Sequence, residues 1–143
     1  MTMTGLDVFD TTVHKTNVWL KDLMTELGWQ DKHRAYLALR VTLHALRDRL
    51  TVEEAAQLGA HLPMLMRGFY YEGWRPAATP RRERHREEFL SHIREQFTDD
   101  PVDAERVAHA VFMLLFARVS TGEIEEVEHL LPSEIRDLWP AMK

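Results

Sequence analysis

Apolar residues recur along this chain at helical spacing, and no segment alternates as a strand would. Val13, Leu20, Leu23, Met24 and Leu27 mark one face of a first helix, predicted to start after Asp10 or Thr11 and to stop at Gly28. A second helix follows Asp31 through Ala35, Ala38, Leu39, Thr42, Leu43, Leu46 and Leu50. Val41 and Ala45 widen its apolar arc, which predicts a largely enclosed helix. Thr51-Val52-Glu53-Glu54 has the form of a capping box, in which the hydroxyl accepts from the Glu54 amide and the Glu54 carboxylate reaches back to the Thr51 amide. It opens a short third helix ending near His61. Pro63 suits the first turn of a fourth, because its missing N–H costs nothing there. That helix runs through Met64, Leu65, Met66, Phe69 and Tyr70 to a stop at Gly73.

The same order then recurs. Thr79-Pro80 predicts the start of a fifth helix carrying Phe89, Leu90, Ile93 and Phe97. Asp100-Pro101 predicts a sixth with Val107, Ala108, Val111, Leu114, Leu115 and Val119. Ser120-Thr121-Gly122-Glu123 is a second capping box, and Leu131-Pro132 begins a last helix ending near Leu138-Trp139-Pro140. Sliding the chain along itself by 69 positions lays Thr51, Glu54, Leu62, Pro63 and Arg67 on Ser120, Glu123, Leu131, Pro132 and Arg136. A fixed long period with matching caps and prolines marks a duplicated structural unit. The predicted fold class is all-α, with two tandem pseudo-symmetric four-helix units packed as one compact helical domain over residues 1–143. Copy one covers about 10–76 and copy two about 79–140, with helices 31–50 and 101–119 expected to pack together near a pseudo-twofold axis.

The doubled motif is a Thr/Ser-x-x-Glu box, then Leu-Pro-x-x-x-Arg, then aromatic residues with Trp and Pro nearby. It reads Thr51-Val52-Glu53-Glu54 followed by Leu62-Pro63 to Arg67, Phe69, Trp74 and Pro76, and again Ser120 to Glu123 followed by Leu131-Pro132, Arg136, Trp139 and Pro140. In this the chain resembles the bacterial and archaeal family called domain of unknown function 2267, from about Val13 to Pro140. The resemblance implies a small, soluble, all-helical protein. It implies no reaction and no functional residues.

Composition narrows the function classes. The 143 residues are 45% hydrophobic and 29% charged, which suits a folded domain. There is no cysteine, which removes disulfides, thiolate nucleophiles and zinc-thiolate sites and fits a cytoplasmic setting. The net charge of −5 argues against a dedicated nucleic-acid binder. No secretory signal stands at the start, and the apolar run Val107–Val119 is too short for a membrane span and is broken by His109 and Arg118.

Several groups carry candidate chemistry. Glu126-x-x-His129 has the spacing of one half of a di-iron bundle site, but no second Glu-x-x-His exists and Glu125 and Glu128 crowd it, so a solvated acidic face is the stronger reading. His44 and His109 interrupt the two central helices; each is read as a locally satisfied histidine ahead of a haem or metal ligand. Arg67 and Arg136 recur at one step of both copies and suit a carboxylate, a phosphate or a free helix-end carbonyl. Glu54 and Glu123 are explained by their capping boxes. Arg75, Arg81, Arg82, Arg84, His85 and Arg86 form the one basic cluster, interleaved with Glu83, Glu87 and Glu88. Phe69, Tyr70, Tyr71 and Trp74 crowd four aromatics into six residues, more than one small helix can bury.

No catalytic, cofactor-binding or metal-binding residue is therefore assigned. The reading favoured is a non-enzymatic protein-interaction module that meets a protein partner or a second copy of itself. Its candidate residues are Phe69, Tyr70, Tyr71, Trp74, Arg67, Arg136 and Trp139. One alternative is a nucleic-acid or phosphate-ligand binder using Arg75–Arg86, chiefly Arg81, Arg82, Arg84 and Arg86. Another is a small-molecule or haem binder between the central helices.

Overall fold

The computed structural model describes residues 4–140. Among them there are eight α-helices and no strand: α1 (Asp7–Leu27), α2 (Lys32–Arg47), α3 (Val52–Ala60), α4 (Met64–Tyr71), α5 (Arg86–Gln96), α6 (Ala104–Arg118), α7 (Thr121–Leu130) and α8 (Ser133–Arg136). The all-α class follows from the spacing of apolar residues, since each helix turns a stripe inward. Leu23, Leu39, Leu43, Leu46, Phe89, Ile93, Val111, Phe112 and Leu115 are completely buried in one core. Burying a leucine or phenylalanine of this kind contributes about 1.5–3 kcal/mol each.

Local chemistry sets most boundaries. Gly28 takes the left-handed conformation at φ 71°, and the Trp29 amide donates to Met24 O at 2.9 Å, closing α1. Asp31, Thr51 and Ser120 cap α2, α3 and α7 by accepting from the amides of Arg34, Glu54 and Glu123.

Three predicted starts are corrected. Helix α1 begins at Asp7 rather than after Asp10, because Asp10 lies inside it and turns back to accept from the amide and hydroxyl of Thr4. Helix α6 begins after Asp103, which accepts from the Arg106 amide, while Asp100 is drawn to Arg34. Thr79-Pro80 opens no α-helix. A single 3-10 turn spans Pro76–Ala78, an irregular stretch follows, and α5 starts only after His85. Tertiary bonds hold that stretch out of a helix: the Arg81 amide donates to Asp48 O at 2.7 Å, and Glu83 accepts from Arg49 at 2.6 Å. The Glu88 carboxylate takes the His85 amide instead, fixing the later start.

The long helices pack across the two halves of the chain. Helix α1 lies on α2 and α6, α5 lies on α6 and α2, and α2 also touches α6. The short helices form a second layer, α4 against α1 and α2, α8 against α5, and α3 against α7. That last contact positions the most unusual group of side chains in the protein.

Candidate functional site

Helices α3 and α7 each start with a hydroxyl cap, so each places a glutamate at its third residue. Only half of each capping box is made. The Thr51 hydroxyl accepts from the Glu54 amide at 3.1 Å and the Ser120 hydroxyl from the Glu123 amide at 3.3 Å. The carboxylates do not complete the boxes. They turn into the seam between the two helices, where an oxygen of each lies within 4.8 Å of the other. Glu54 is 5% exposed and Glu123 6%. This corrects the purely capping role expected of both.

One turn along each helix stands Gln57 on α3 and Glu126 on α7, again 69 positions apart. With its nitrogen turned to the seam, the Gln57 amide donates to Glu54 Oε2 at 2.9 Å and to Glu126 Oε2 at 3.1 Å. One oxygen from each of Glu54, Glu123 and Glu126 lies within 4.8 Å of the others. Glu123 Oε2 is buried without a hydrogen-bond partner. A cleft of about 630 Å³ opens over the group, lined also by Thr51, Glu53, Gly122, Glu125 and His129.

Burial pushes the Glu54 carboxyl up to about 7, helped by the charges of Glu123 and Glu126. Burial also raises Glu123, against the opposing pull of His61 and the hydrogen bond from Glu54. Both shifts favour the protonated form, so the pair can hold a proton, release one, or exchange it for a cation.

The aromatic segment is arranged differently from a projecting patch. Phe69, Tyr70 and Trp139 are buried, at 8%, 0% and 5% exposure. Tyr70 donates its hydroxyl to Ala55 O at 2.7 Å, and Phe69 meets the ring of Tyr36 edge-on. Trp139 stacks on Phe112 at 4.3 Å. Tyr71 and Trp74 are half-buried and stack on each other at 5.3 Å. The segment is therefore an aromatic plug between α3, α4 and α2. The exposed apolar side chains nearby are Met64 and Leu65.

Arg67 and Arg136 each fasten the end of a short helix. Arg67 donates to Gly59 O at 3.1 Å and to Leu62 O at 3.2 Å. Arg136 donates to Glu128 O at 3.0 Å and to Leu131 O at 2.8 Å. Their guanidinium groups are thus committed to backbone carbonyls rather than turned to a ligand.

The histidines of the central helices are likewise engaged. His44 Nε2 bonds Phe69 O at 2.6 Å, and burial lowers its pKa below the ordinary value. His109 Nδ1 bonds Leu138 O at 2.9 Å. His44 borders a cleft of about 320 Å³ shared with Asp48, Arg49 and His92, a polar setting.

In the basic cluster, Arg81 pairs with Glu83 and Arg86 with Glu105, while Arg49 reaches Glu83 from the turn after α2. Burial disfavours the ionised Glu83, yet the bond from His92 and the nearby Arg49 and Arg81 hold its pKa below the ordinary range. Arg82 and Arg84 are exposed, and they stand outside these pairs. Carboxylates thus answer much of the charge that would draw a phosphate backbone.

Sequence reasoning passed over Glu54, Gln57, Glu123 and Glu126 as a group. The signal was present, since the 69-residue offset pairs Glu54 with Glu123 and Gln57 with Glu126, and within each helix the two residues stand three apart on one face.

A family model described as "Uncharacterized conserved protein (DUF2267)" matches residues 16–138. No curated protein matches the chain. No helix among the described residues is long and apolar enough to cross a membrane.

Proposed function

The chain belongs to the DUF2267 family, and from that premise we propose a non-enzymatic interaction module that pairs with a second copy of itself through the face formed by α1, α2 and α4. One observation carries this reading: exposed apolar side chains flank an unfilled apolar cleft. Phe9 is 46% exposed, Met64 44% and Leu65 44%, beside a groove of about 760 Å³ lined by Val13, Leu20, Tyr36, Leu65 and Phe69. The Leu65 amide donates to the Thr12 hydroxyl at 2.8 Å, which brings the start of α4 against α1. Phe9 sits one turn before Val13 on the same helix face.

A surface carrying both knob and cleft suits an isologous contact, in which each copy's Phe9 enters the other's groove. Lys32 and Glu72 on the groove wall supply opposite charges that a twofold axis can bring together. The 69-residue duplication fits the same habit, a helical unit that covers its apolar face with its own like. A cysteine-free composition suits a cytoplasmic home for such a module.

Sedimentation velocity on the wild type, Phe9→Asp and Leu65→Asp tests the proposal. The expected result is a dimer that either aspartate converts to monomer while the helical circular-dichroism signal is kept. A wild type that stays monomeric at high concentration, or aspartate variants that remain dimeric, overturns it.

A further inference from the structure

We propose that Glu54, Glu123 and Glu126 hold one divalent cation of the hard, oxygen-seeking class, clamping α3 to α7. Three features carry the proposal. First, the spacing fits an ion. The three carboxylate oxygens lie within 4.8 Å of one another. Two metal–oxygen bonds of about 2.1–2.4 Å on opposite sides of one ion span roughly the same distance. Second, Glu123 is 6% exposed and its Oε2 has no hydrogen-bond partner among the described residues. A buried carboxylate oxygen without a donor is costly, and a cation removes that cost. Third, the seam is reachable. Glu126 is exposed at the mouth of the 630 Å³ cleft, which leaves room for waters to complete the coordination shell.

The donor set selects the ion. Three carboxylates offer oxygen alone, which favours magnesium, calcium or manganese over copper. Glu53 and Glu125 on the cleft wall add negative field without needing to touch the ion. His129 lines the same wall, three residues beyond Glu126, and offers a nitrogen near the mouth. Both glutamates that meet in the seam come from first turns of α3 and α7, so the ion bridges two carboxylates that otherwise repel.

The test is calorimetric titration of the full chain, stripped with chelator, using MnCl2 as the probe. Thermal unfolding is followed in parallel. We expect one manganese per chain and a higher Tm with metal. Glu126→Gln should weaken the Kd by about tenfold or more, Glu123→Gln should remove binding, and Glu125→Gln should change it little. Glu126 is exposed, so its variant keeps the fold and remains decisive should Glu123→Gln unfold. No uptake by the wild type overturns the proposal. So does uptake that Glu126→Gln leaves unchanged, which would place the ion elsewhere on the surface.

Discussion

Glu54 and Glu123 stand 69 residues apart in the chain and meet in one buried seam, each at the third residue of its helix and each turned away from its own cap. Burial and the charges of Glu123 and Glu126 favour the protonated form of Glu54. Glu54 rises from 4.5 to about 7, so the folded protein holds that proton more tightly than the unfolded chain. Its stabilising contribution is complete below the unfolded value and is lost as pH rises through the folded one. Glu126 and His61 act on the pair through their charges, and Glu53 and His129 line the same cleft. In chelator, wild type should lose on the order of 2 kcal/mol relative to Glu54→Gln between about pH 5.5 and about pH 8. Urea denaturation of both proteins at the two pH values measures it. Parallel pH profiles would show that the pair is not strained.

Arg67 and Arg136 should be structural in equal measure. Replacing either by alanine frees two carbonyls at the end of α3 or α7, at a cost of about 1–2 kcal/mol each. They share no partner, so the double variant should lose the sum. Lysine should rescue little, because an ammonium lacks the fork that reaches two carbonyls. Chemical denaturation of the four proteins checks both points.

Two glycines should respond in opposite directions. A Cβ on Gly59 would come within 3.1 Å of Tyr70 Cε2 and closer still to the Tyr71 hydroxyl. Tyr70 cannot move freely, since its hydroxyl is held by Ala55 O. Gly59→Ala should therefore destabilise by about 1–3 kcal/mol. A Cβ on Gly68 meets nothing within 4 Å, and Gly68 lies inside α4. Gly68→Ala should stabilise by about 0.5–1 kcal/mol. Thermal melts of the two variants give the signs.

Thr42 is fully buried and its hydroxyl has no partner among the described residues. Valine has the same shape without the stranded polar atom. Thr42→Val should raise stability by about 1 kcal/mol, read from the urea midpoint at unchanged m-value.

The helices themselves were legible because their stripes and caps are local. Gly28, Asp31, Thr51 and Ser120 act within one turn of the chain, and each does in the structure what its residue type dictates. The misread starts involve residues claimed by partners outside the expected cap, Asp10 by Thr4 six residues back and the others by distant groups. Asp100 goes to Arg34, and the stretch after Pro80 is held by Asp48 and Arg49. The carboxylate seam was hidden for the same reason. Thr51-x-x-Glu54 looks complete as a capping box, and nothing local reveals that the carboxylate leaves it for a residue on another helix. The aromatic run misled in the other direction, because Tyr70 and Phe69 find cover from Ala55 and Tyr36, which lie outside α4.

Helix α1 takes α6 as a neighbour and α2 takes α5, so each half of the chain is sheathed by the other. During synthesis the amino-terminal half leaves the ribosome with those flanks bare and must wait for the carboxy-terminal half to arrive. Native order is then reached only once the whole polypeptide is available, and a truncation anywhere within α5 or α6 should strip the earlier helices of their shelter rather than shorten the protein by one tidy piece.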